Sequence, residues 1–259
     1  MLGDATFSKL GNYEVLDENS TYSMLVWVPR YAYKITSMYH QSGSNAGTIE
    51  IVFLDTQNKT KDGEDYSSKM SYPNANTGTE MTDYVVHPSF NWDGVPLAGY
   101  WVGKFETSSN GGKVQIKGGV QSWRNINVST IYNNCVGMNN SGNSYGLNTD
   151  DSKVDPHMMK NTEWGAPSRY KDIYSSYQES VLVECYGDAV YETSSSSSIS
   201  NSSWYSDYSY FPDSNIFFIR GGNCNIGSSA GMFAFYGYYD NDYNDTYSDN
   251  TFRVVVPAL

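Results

Sequence analysis

Residues 216–256 read IFFIRGGNCNIGSSAGMFAFYGYYDNDYNDTYSDNTFRVVV. Two apolar, strand-like ends, Phe217-Phe218-Ile219 and Phe252-Arg253-Val254-Val255-Val256, enclose a middle of another character. Within 236–250, twelve of the fifteen residues are Tyr, Asp or Asn, and the others are Gly237, Thr246 and Ser248. From Thr193 to Leu259 there is no Lys, Glu or Gln, and Arg220 and Arg253 are the only cations. Tyr supplies a stiff, amphipathic contact surface at small entropic cost, and Asn, Ser and Gly supply adaptable hydrogen bonds. A polar stretch of this vocabulary between buried strands predicts a presented binding surface.

The codon table points the same way. Randomising both adenines of an Asn codon reaches Tyr, Asp, Asn, Ser, Thr, Gly, Cys, Ile and six further residue types besides Phe. It never reaches Lys, Glu, Gln, Met or Trp. Every residue from 236 to 250 lies in the reachable set, as do Asn223, Cys224, Asn225 and Ile226. By average residue usage, a 15-mer lacking those five types arises on the order of a few per cent of the time.

Outward from this tract the chain reads as strand-rich. Tyr22–Pro29, Tyr31–Ile35, Thr48–Leu54, Tyr100–Glu106, Val181–Val183, Ile216–Ile219, Gly231–Phe235 and Phe252–Val256 are expected strands. In Tyr31–Ile35, alternation puts Tyr31, Tyr33 and Ile35 on one face and Ala32 and Lys34 on the other. Two helices are expected. Val128–Met138 carries apolar residues at 128, 131, 132, 135 and 138 behind an Asn127 cap, and His157–Trp164 forms a shorter one. The expected class is α+β with residues 1–20 as a lead-in, a single domain over 21–259, an insertion loop near 55–82, and a flexible Ser-rich connector over 193–203.

Composition narrows the partners. The 259 residues carry a net charge of −12, which phosphate backbones and anionic membrane surfaces repel. No apolar run approaches a membrane span. Met1-Leu2-Gly3-Asp4 lacks the basic and apolar regions of a signal peptide, so export is expected by another route. Cys135, Cys185 and Cys224 show no metal-ligand spacing, and neither do His40, His87 and His157, which read as satisfied surface or helix-start residues, with His87 at a strand end. Asp240, Asp242, Asp245 and Asp249 lack the Gly and Glu of a calcium loop, leaving calcium a minor alternative to no cofactor. Trp27, Trp101, Trp123 and Trp164 read as core, and Trp204 and Tyr205 as a flank of the binding face.

Phe218-Ile219-Arg220-Gly221-Gly222, then Gly227 to Phe235, then Phe252-Arg253-Val254-Val255 resemble the C-terminal frame of the variable proteins diversified by retroelements, of the major tropism determinant type. Val26-Trp27-Val28-Pro29-Arg30, Tyr100 to Glu106 and His157 to Gly165 extend the resemblance from about Tyr22 onward. It implies a C-type-lectin-like fold with a variable region near 215–250. Its ligand-binding residues would be Asn223, Cys224, Asn225, Ile226, Tyr236, Tyr238, Tyr239, Asn241, Tyr243, Asn244, Thr246, Ser248 and Asn250. Arg220, Gly221, Gly222, Phe252 and Arg253 would be scaffold. The implied partner is a protein or glycan receptor on a target surface. The implied setting is a phage tail tip or, alternatively, a bacterial cell-surface or pilus-borne adhesin, with a homo-oligomer in keeping. The same frame occurs in the formylglycine-generating enzymes, whose chemistry needs a C-terminal cysteine pair. Cys224 stands alone there, so an enzyme is not expected.

Overall fold

The computed structural model describes residues 23–71, 81–160, 162–164, 190–194, 202–210, 218–221, 231, 233–237, 246, 248 and 251–257. The strands are β1 Leu25–Pro29, β2 Tyr31–Ile35, β3 Ile49–Phe53, β4 Val85–Val86, β5 Asn91–Trp92, β6 Val95–Pro96, β7 Gly99–Gly103, β8 Ser108–Asn110, β9 Lys113–Gln115, β10 His157–Met158, β11 Ser209–Tyr210, β12 Phe218–Arg220, β13 Phe235–Gly237 and β14 Val254–Pro257. The helices are α1 Val128–Val136 and α2 Val190–Thr193. The protein is strand-rich with few helices, an α+β arrangement. Its chain divides into two compact units, each stitched from separate stretches. One comprises Met1–Val28, Gly99–Met159 and Tyr243–Leu259, and the other Pro29–Ala98 and Lys160–Asp242.

In the first unit β14 is buried at all four positions, because strands pair on both of its sides in the order β1-β7-β14-β10. It runs antiparallel to β7, with Val255 opposite Val102, and antiparallel to β10, with Val255 opposite His157. The Asn127 side chain accepts from the Thr130 amide at 2.8 Å, capping α1 as its sequence predicts. Of the apolar stripe on that helix, Ile131 and Cys135 are buried, and Met138 follows in a 3-10 turn. With Val114, Ile116, Phe252, Val254 and Val256 they form one apolar core, each fully buried side chain contributing about 1.5–3 kcal/mol. Burial alone pushes the Cys135 thiol up to about 12, so it packs as a small hydrophobe.

The second unit holds a sheet in the order β3-β2-β4. Because β2 is central, Ala32 on one face is buried as fully as Tyr31, Tyr33 and Ile35 on the other. Lys34 reaches Glu50 at 3.1 Å. Around β2 the core is aromatic: Tyr31 packs edge-on to Phe90 at 5.2 Å, and the buried His87 ring lies against Tyr31, Tyr33 and Phe90. His87 does end a strand and start a 3-10 turn, as expected, but from inside the core rather than at the surface. The Tyr33 hydroxyl donates to Glu192 Oε1 at 2.5 Å, both residues being fully buried. The edge strand β3 leaves Ile51 and Phe53 in solvent.

Several expectations need correction. His157–Met158 is a strand, because its backbone completes the free side of β14, and among the described residues of this stretch helix is found at 162–164. The strand expected at Gly231–Phe235 begins at Phe235, since side chains from Ser203 and Asp207 hold Phe233 in a turn. Trp27 is 37% exposed on the edge strand β1, whereas Trp204 is buried. The ends of the Ser-rich run are not loose either: Thr193, Ser194 and Ser203 are buried. Part of the expected 55–82 excursion is ordered by its own side chains, with Asp55 Oδ1 accepting from the Gln57 and Lys59 amides. The expected strand at Val181–Val183 lies outside the described residues.

Candidate functional site

Arg220 begins the local structure around the Tyr-rich tract. It ends β12, which pairs antiparallel with β13 so that Phe218, Ile219 and Arg220 face Gly237, Tyr236 and Phe235. β11 lies on the other side of β13, parallel to it. The Arg220 guanidinium is buried, with its carbon 5.1 Å from the Phe235 ring centre, and desolvation drives its pKa well down. The residue as a whole is half-buried.

Two glycines then have no substitute. Gly221 sits at φ +76°, where a Cβ would also lie 3.2 Å from the Trp164 ring. A Cβ on Gly231 would lie 2.1 Å from the Asp207 carboxyl carbon. That close approach lets Asp207 Oδ2 accept from the Phe233 amide at 2.8 Å, while Ser203 Oγ donates to the Phe233 carbonyl at 3.0 Å. The Gly221 amide donates to Ala234 O at 3.1 Å, closing the base of the segment between β12 and β13.

Of the residues expected to bind ligand, Tyr236 is the central residue of β13, in register with Ile219 and Tyr210. Thr246 and Ser248 are exposed and belong to the first unit. Asn223, Cys224, Asn225, Ile226, Tyr238, Tyr239, Asn241, Tyr243, Asn244 and Asn250 lie outside the described residues. The chain leaves Gly221 toward residues 222–230 at one end of the β12–β13 pair and leaves Gly237 toward 238–245 at the other. The two stretches that the sequence groups together thus start from opposite ends of one strand pair.

No family model, curated protein or solved structure matches the chain.

The expected scaffold residues are engaged where they are described. Arg253 Nε donates to Glu106 Oε1 at 2.7 Å and its Nη1 to Gly103 O at 3.3 Å, tying the residue before β14 to the end of β7. Phe252 is buried against Trp123, with ring centres 6.2 Å apart. Among the described residues no group of three or more His, Cys, Asp or Glu side chains is placed to hold a metal ion. The four Asp of the Tyr-rich tract lie outside them. Nor is any described helix long and apolar enough to cross a membrane.

A cleft of about 560 Å³ in the second unit, lined by Arg30, Asn58, Tyr84, His87, Phe90 and Asn91 among others, escaped the sequence reading. Arg30 is buried there and donates to Phe90 O and to Asn58 Oδ1, each at 3.0 Å. Desolvation lowers its pKa and nearby Asp55 opposes the shift. Both acceptors belong to connecting segments, so the guanidinium acts as a strut between loops. The only hint in sequence is a cation directly after the apolar run Leu25–Pro29.

Proposed function

We propose that this protein is a ligand-binding protein of C-type-lectin-like fold whose C-terminal segment, diversified by a retroelement, recognises a surface receptor, at a phage tail tip or on a bacterial surface. The observation that carries the reading is the Tyr/Asp/Asn tract at 236–250. It begins in β13, next to Arg220 packed on Phe235 and to Gly221 and Gly231, where a side chain would be strained or crowded. Variation is tolerable only where side chains are not needed for the fold, and the described Thr246 and Ser248 meet that condition by their exposure. Affinity would come from Tyr burial at the centre and amide or carboxylate hydrogen bonds at the rim. Display in several copies would raise a modest single-site affinity through avidity.

Deep sequencing of the 3′ end of the gene across a natural population tests the reading. Substitutions confined to codons 223–250, at bases that are adenine in a nearby template copy, are expected. An even spread of substitutions along the gene, or none in that window, removes the diversification argument.

A further inference from the structure

The turn Ser203–Asp207 does something its own folding does not require. It closes with Ser206 N donating to Ser203 O at 3.1 Å and Asp207 N to Trp204 O at 3.2 Å. Its two central residues, Tyr205 at φ +60° and Ser206 at φ +57°, are both left-handed. Turns of this kind normally take Asn-Gly or Asp-Gly, because a side chain clashes with its own backbone there. A bulky aromatic in that conformation is an outlier, and such strain persists where something else needs the residue. The core does not need it, since Tyr205 is 60% exposed.

What the turn achieves is a fixed aromatic plate. One face of Tyr205 stacks on Phe233 at 6.1 Å and 23°. Phe233 is pinned by Asp207 and Ser203 and packs edge-on to the buried Trp204 at 5.3 Å. Trp204 is in turn anchored by its indole N–H on Met38 O at 3.1 Å. Among the described residues, the exposed side chains of the turn and of the adjoining loop 41–45 are polar and uncharged. Gly43 exchanges hydrogen bonds with the turn, from its own amide to Ser203 O and from the Ser206 amide to its carbonyl. The loop it belongs to exposes Gln41, Ser44 and Asn45, and Ser206 is exposed beside Tyr205. The carboxylate of the turn itself, Asp207, is committed to Phe233 N.

An apolar ring face bordered by hydroxyls and amides matches a sugar ring, which offers C–H groups on its face and hydroxyls around its edge. Among the described residues of the turn and the adjoining loop a charged ligand finds no free counter-charge, and a chain of net charge −12 repels an anionic one. We infer that Tyr205 is a constant stacking platform for a neutral sugar of a surface glycan. The inference stands on the turn alone: Tyr205 lies outside 223–250, so it holds or fails whether or not that segment is diversified.

Binding of the labelled full chain to an array of neutral and sialylated oligosaccharides, followed by titration of the best-bound sugar, tests it. The protein should bind neutral oligosaccharides. Tyr205→Phe should retain that binding, and Tyr205→Ala should weaken it by about tenfold or more. Tyr205→Gly separates binding from folding, because glycine relieves the left-handed strain. It should keep the melting temperature level or raise it while losing the sugar. Absence of neutral-sugar binding, preference for sialylated sugars, or binding by the Ala and Gly variants as tight as the parent protein's overturns the inference.

Discussion

In the first unit eight described side chains form a cluster that, apart from the Cys135 thiol, is aliphatic, thioether or phenyl with no hydrogen-bonding demand, and polar groups such as Tyr100, Asn139 and His157 are buried outside it. The second unit buries Tyr31, Tyr33, Tyr39, Trp204, His87, Glu192 and Arg30 in its interior. Aliphatic burial is non-directional, so neighbours can close over a small loss. A buried Tyr, Trp or Arg must also place its polar atom against one partner, and a partner left alone costs more than the bond was worth. The aliphatic cluster of the first unit is therefore expected to tolerate volume changes, and the aromatic core of the second to fail at single atoms. β13, in which the Tyr-rich tract begins, belongs to the second kind, and β14, which follows the tract, belongs to the first.

Trp204→Ala should break the comparison open most widely. It removes a buried indole, its bond to Met38 and the support of Phe233, at a cost of about 3–5 kcal/mol. Hydrogen exchange should show the loss at Tyr31–Ile35 and Ser203–Ser209, while Gly99–Gly103 and Val254–Val256 stay protected. Equal loss in both sets would mean that the two cores unfold as one. Tyr33→Phe deletes a single oxygen, yet it strips Glu192 Oε1 of a buried donor and should cost about 1–3 kcal/mol in urea denaturation. Ile131→Val deletes a whole methylene from the aliphatic core and should cost only about 0.5–1.5 kcal/mol. If Ile131→Val proved the more damaging of these two, the distinction would collapse.

The smallest effect is a pH dependence. The Tyr84 hydroxyl, then Lys34, bond to the Glu50 carboxylate and hold its pKa below the ordinary range, and the same bond pushes Tyr84 up to about 12. A depressed carboxylate contributes stability above its unfolded pKa and loses it as pH falls through the folded value. A raised phenol contributes below 10.0 and loses it as pH rises through about 12. The melting-temperature gap between the parent protein and Tyr84→Phe should thus be widest between these limits and narrow toward both. Because Glu50 is exposed, the gap should also shrink in high salt.

These contrasts show where sequence is legible. Asn127 and α1 could be read because a cap and a helical stripe are local, within one turn of each other. β2 was placed correctly, but its burial on two faces depends on β3 and β4 and on Glu192, which lies 159 residues away. The same distance effect misled the reading of His157–Met158, whose strand form exists only because β14 offers a free side. At the candidate site, the composition of 236–250 is visible directly. The clamp on Phe233 and the left-handed turn at Tyr205 are not, because a Ser-rich run next to Trp-Tyr-Ser-Asp carries no period and no glycine to mark the turn.

The position of β14 has a consequence for inheritance. It is the strand between β7 and β10, and it is encoded immediately downstream of the Tyr-rich tract. A copying error in that tract that shifts the reading frame or writes a stop codon also erases Val254–Val256, and the sheet of the first unit then has no middle. Only in-frame versions of the tract can yield a folded product. The fold thereby acts as a proofreader of frame, since any version of the tract that shifts the frame also loses β14.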